Sequence, residues 1–96
     1  MPQFVVHAID RTNALPLRLE HSAAHRAFVE TESDHGIHVV LSGPLQSDDG
    51  EVMTGSLFIV EAADRATIEA FVRNDPFTQA GIWEQVTITR FHRRKG

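Results

Sequence analysis

A chain of 96 residues has room for one domain with its own core and too little for two. A monomer of that size hides only about 60–70% of the surface its unfolded chain exposes, so an uncovered apolar sheet face would favour self-association. The 42% apolar and 23% charged content is that of an ordinary soluble globular protein, a net charge of −4 argues against nucleic acid as a partner, and the lack of cysteine excludes disulfides, a thiolate nucleophile and a cysteine zinc site.

The lack of cysteine also fits a cytoplasmic protein. The N-terminus lacks the basic region and apolar run of a secretory signal, and no stretch approaches the ~20 apolar residues of a membrane span. His92, Arg93, Arg94 and Lys95 form a short solvated basic end, not a nucleic-acid patch.

In chain order, QFVVHAI predicts a first strand ending at Asp10, and Asn13 punctuates. From Leu15 to about Glu32 the spacing predicts an amphipathic helix with Leu17, Ala24 and Phe28 toward the core, flanked by Leu19, Ala23 and Ala27. Gly36 stops it, and IHVVLSG forms a second strand closed by Gly43 and Pro44. After the turn residues QSDDGE comes a third strand, MTGSLFIVEA. Asp64 caps a second helix over about Arg65–Arg73, with Ile68 and Phe71 or Val72 inward, which must stop before Pro76. A short helix over 76–80 capped by Asp75 follows, and WEQVTITRF is the last strand.

This order predicts a single domain over residues 1–96 of the α+β class: a ferredoxin-like βαββαβ fold, four antiparallel strands with both helices on one face. Strand alternation sets Phe4, Val6 and Ala8 opposite Val5, His7 and Ile9, and leaves neither face polar. The face away from the helices is expected to expose Ile9, Val40, Phe58, Val60 and Phe91 or their alternates. Packing two sheets face to face would cover it, which predicts a homodimer.

Arg18, Ser22 and His25 follow an i, i+4, i+7 spacing and form one stripe of the first helix. Such a stripe could line a cleft, with Arg18 holding an anionic group, Ser22 donating a hydrogen bond and His25 moving a proton. The simpler alternative is an exposed face with a salt bridge. His21 and His25 are also spaced to share a metal ion, but no glutamate lies between them as a metalloprotease helix requires, and a third ligand would have to come from elsewhere. Neither LSGP nor TGSL is a nucleophile elbow, and Gly43, Gly50 and Gly55 do not make a phosphate loop. Asp75, pushed out of helical space by Pro76, is explained locally as a cap; spacing alone leaves open whether it also orients an imidazole from the first helix.

Arg18 with Ala24-His25, SGPL at 42–45, GSLFIVEA at 55–62 and above all NDPFTQAGIWEQVTITRF at 74–91 together resemble the YCII-related (YciI-like) family over nearly the whole chain. The resemblance implies a ferredoxin-like fold of the dimeric α+β barrel type. It implies that His25 and Asp75 are an acid/base pair in a small cleft, that Arg18 matches a frequent arginine, and that Ser42, Gly43 and Pro44 border the cleft. Ser22 departs from relatives that carry a second arginine there, which argues against a strongly anionic ligand. One relative is a dehydrochlorinase acting on a chlorinated hydroxyquinol, and the wider superfamily includes isomerases and cofactor-free oxygenases.

The expectation is therefore a small dimeric enzyme with no metal or organic cofactor, of lyase, dehydrochlorinase or isomerase type. It would use His25 and Asp75 on a small aromatic or enolisable molecule. The alternatives are a non-catalytic module binding a small metabolite in the same cleft, and a metal site at His21 and His25.

Overall fold

The elements follow from local chemistry at nearly every boundary. In the computed structural model, which describes residues 1–96, the strands are β1 (Gln3–Asp10), β2 (His38–Gln46), β3 (Met53–Glu61) and β4 (Trp83–Phe91). The helices are α1 (Leu15–Glu30), α2 (Arg65–Asn74) and the one-turn α3 (Pro76–Gln79), with a 3-10 turn at Glu32–His35. Gly36 adopts the left-handed φ of 71° that ends this turn. Asp64 caps α2 by accepting hydrogen bonds from the Thr67 side chain and backbone, which hold its carboxyl below the usual range. Asp75 caps α3 by accepting from the Phe77 N–H at 2.8 Å.

The four strands form one antiparallel sheet in the order β2-β3-β1-β4, with the helices on one face, so the expected ferredoxin-like fold is the observed one. The core lies between: Phe4, Val6, Ala8, Phe58 and Val60 from the sheet meet Ile68, Phe71, Phe77 and Ile82. No helix is long and apolar enough to cross a membrane.

Three expectations are corrected. First, β2 does not close at Gly43 and Pro44 but runs through them to Gln46. A proline is tolerated because β2 is an edge strand, where its missing N–H breaks no ladder.

Second, Phe58 and Val60 point at the helices, pairing with the buried Val6 and Phe4. The opposite face carries Ile9 and Phe91, as expected, with Val5 and with Leu57 and Ile59 in place of Phe58 and Val60, joined by Leu41 and Leu45 of β2. Val39 pairs with Val60 but Leu41 pairs with Ile59, so one extra residue, Val40, bulges between them. A bulge of one residue reverses every side chain beyond it. It turns Leu41 and Leu45 outward and brings Ser42 and Pro44, opposite Phe58 and Ser56, to the helix side.

Third, α1 is rotated relative to its apparent amphipathicity. Leu17 and Leu19 are 36% and 57% exposed, Ala23, Ala24 and Ala27 face solvent, and the buried residue of the helix is Arg18. Alanine adds helix propensity but little apolar area, so burying three of them would gain little. Phe28 and Val29 anchor the C-terminal end against the core, and the polar stripe turns inward.

Candidate active site

The inward stripe of α1 forms one wall of a cleft of about 520 Å³, and β2, β3 and the start of α3 supply the rest. Arg18, Ser22 and His25 line it from the helix, Ser42, Gly43 and Pro44 from the edge strand. Asp75 lies behind His25, 1% exposed. All seven residues expected from the sequence are thus brought to one place. A second cavity of about 470 Å³, between residues 10–16 and 52–54, holds none of the seven.

His25 is held on two sides. Its Nδ1 lies 2.8 Å and 2.9 Å from the two carboxylate oxygens of Asp75. An ionised carboxylate only accepts, so Nδ1 carries the proton and a neutral ring has its lone pair on Nε2, on the edge away from Asp75. Phe77 fixes the plane of the ring, stacking on it at 4.0 Å between centroids and 7° between planes. Phe58 and Trp83 close the sides edge-on at 5.9 Å and 6.0 Å. Asp75 therefore caps α3 and holds an imidazole from 50 residues away with the same carboxylate.

Arg18 and His25 are two helical turns apart, about 10.5 Å along the axis, which leaves room for an aromatic ring between them. Phe77 fills it, its centroid 4.7 Å from the Arg18 guanidinium carbon. Arg18 is already paired within the protein, in a salt bridge that is buried where the simpler alternative expected an exposed one. Its Nε and Nη2 donate to the two oxygens of Asp10 at 2.7 Å and 3.0 Å, and Nη2 donates also to Ser56 Oγ at 2.7 Å. Both side chains of the pair are about nineteen-twentieths buried, at 4% and 5% exposure. Nη1 is left without an internal partner, as the one guanidinium nitrogen able to meet a ligand.

Asp10, Ser56, Phe58, Phe77 and Arg26 were not singled out from sequence. Ser56 and Phe58 followed from the parity of β3 once its inner face was known. Asp10 had no signal beyond ending a strand. No group of three or more His or carboxylate side chains gathers around His21 and His25 to hold a metal.

The family model for the YCII-related domain matches residues 2–92. The chain belongs to the YCII-related domain family. Protein YciI of Escherichia coli O6:H1 and of Shigella flexneri are each 30% identical over 93 residues, 92% of this chain and 94% of theirs. Among solved structures, this YCII-related chain is similar to 5-chloro-2-hydroxyhydroquinone dehydrochlorinase of Burkholderia phenoliruptrix in complex with 2,5-dihydroxybenzoquinone. The TM-score is 0.83 and the identity 32%, over 94% of this chain and 93% of the other. An antibiotic biosynthesis monooxygenase at TM-score 0.56 and 16% identity, over 99% of this chain and 100% of the other, shares the fold alone.

Proposed function

We propose that the protein is a small acid–base enzyme of lyase, dehydrochlorinase or isomerase type, acting on a small aromatic or enolisable molecule with its own side chains only. The observation that carries this reading is the His25–Asp75 contact: beside an ionised Asp75, a neutral His25 keeps its lone pair on Nε2, in a ring that lines the cleft. The dehydrochlorinase named above supports the substrate class.

In this reading a neutral His25 takes a substrate proton at Nε2, and Asp75 stabilises the imidazolium that forms. The electron pair of the broken bond stays on the substrate as an oxyanion or enolate, which Arg18 Nη1 polarises and the Ser22 hydroxyl hydrogen-bonds. In an elimination, that pair forms the new π bond while chloride leaves with the electrons of the carbon–chlorine bond. In an isomerisation, His25 returns the proton to a different carbon. Ser42, Gly43 and Pro44 form the wall against which the substrate lies. A positioned base of this kind contributes about 10²- to 10⁴-fold.

The test is turnover of 5-chloro-2-hydroxyhydroquinone, followed by chloride release. His25→Ala is expected to abolish it while leaving binding of 2,5-dihydroxybenzoquinone partly intact. Binding without any turnover by the wild type would instead describe a metabolite-binding module.

A second copy of the chain is the proposed cover for the outer sheet face. Val5, Ile9, Leu41, Leu45, Leu57, Ile59 and Phe91 make that face apolar, and so small a chain gains most from burying it. Light scattering at micromolar concentration is expected to give twice the chain mass. Ile59→Lys, at the centre of the face, should halve it by placing a charge where no partner exists. A monomeric wild type would end the proposal.

A further inference from the structure

The charges around the cleft are answered within the protein, with one exception. Asp10 neutralises Arg18, and Asp75 is held by His25 and the Phe77 N–H. Arg26, the residue after His25 on α1, lines the same cleft, is exposed, and takes part in none of the ion pairs of the chain. It is not within ion-pair distance of Glu30, one turn further along the helix. With His25 neutral, the two carboxylates and two guanidiniums cancel, but the carboxylates are buried behind their partners and Arg26 alone offers a whole charge at the rim.

We propose that Arg26 is the specificity-determining residue that makes the cleft select a small aromatic or enolic oxyanion. The flat body of such a ligand suits the aromatic floor of Phe58 and Phe77, and its charged group would meet Arg26 at the mouth with the Ser22 and Ser42 hydroxyls nearby. Serine at position 22 therefore does not leave the cleft with only the neutralised Arg18. A phosphate ester fits less well: the Phe77 N–H at the start of α3 already donates to Asp75, and Ala14, Leu15 and Pro16 at the start of α1 line the other cavity, not this cleft. This inference rests on the reading of the cleft as a small-molecule site and narrows its ligand.

The experiment is calorimetric titration of the full chain with an isosteric pair, 4-hydroxybenzoate and 4-hydroxybenzamide, and with 2,5-dihydroxybenzoquinone. The wild type should prefer the carboxylate to the amide, and the preference should shrink with added salt. Arg26→Gln should weaken both anions by about ten- to a hundredfold and leave the amide unchanged, whereas Arg26→Lys should restore most of the preference. Equal affinity of the wild type for both isosteres, or no binding of either, overturns the proposal. So does a preference that survives Arg26→Gln, which would assign charge recognition to Arg18. Turnover plays no part in these titrations. An intact charge preference with no turnover removes only the catalytic reading, and turnover with no charge preference removes only this one.

Discussion

Asp75→Asn is expected to lower turnover by about 10²- to 10⁴-fold while the protein stays folded. Asparagine caps a helix about as well as aspartate, so the start of α3 and the docking of Phe77 should survive. What changes is the partner of His25. The amide has a single acceptor oxygen, and its NH2 group donates, so it no longer offers Nδ1 two acceptors and no longer balances an imidazolium. A ring that moves its proton to Nε2 would present a donor to the cleft where the proposed reaction needs a base. Ring nitrogen chemical shifts of His25 should report the tautomer directly, and thermal unfolding should show a small change. Asp75→Ala, by contrast, should also cost the cap, about 1 kcal/mol. Wild-type turnover in the asparagine variant would reduce Asp75 to a cap.

The largest effect on stability is expected at a residue with no catalytic role. Asp10→Ala removes the partner of a guanidinium that is 4% exposed, leaving its charge buried with the Ser56 hydroxyl and its contact with Phe77. Breaking a buried ion pair from one side costs about 3–5 kcal/mol, because the desolvation of the remaining charge is no longer offset. In a domain of this size each kcal/mol moves the melting temperature by about 4–8 °C, so the transition should fall by well over 10 °C. The double variant Asp10→Ala with Arg18→Met should recover much of the loss, since it removes the stranded charge and keeps a long apolar side chain beside Phe77. If Asp10→Ala melts with the wild type, Asp10 does not offset a buried charge on Arg18.

Much of this protein can be read along its chain. Pro76 bars Asp75 from helical space and begins α3, so a stop and a cap were legible in NDPFTQAG. The β-branched and aromatic runs set the limits of β4, and the order of elements leads to the ferredoxin-like sheet. The i, i+4, i+7 spacing put Arg18, Ser22 and His25 on one stripe, and the family resemblance matched His25 with Asp75. The stop, the cap and the stripe are local properties, fixed by dihedral preference and helical period, whereas the pairing of His25 with Asp75 came from the resemblance alone.

What tertiary structure decided is which way each stripe faces and what it meets. The side-chain alternation of β2 assumes an unbroken ladder, and the single bulged residue Val40 reverses it, sending Ser42 and Pro44 to the cleft and Leu41 and Leu45 to the outer face. The helical period of α1 defines its stripes but not its rotation. With alanine on the apolar side the burial energy is too small to choose, and Phe77, wedged between Arg18 and His25, accounts for the polar stripe facing inward. The Asp10–Arg18 pair and the unanswered charge of Arg26 depend on distances between elements, which no spacing within one element contains. The sequence by itself determined the fold and the residues on the polar stripe of α1; only packing decided that this stripe faces a cleft, with one arginine neutralised inside and one left free at its rim.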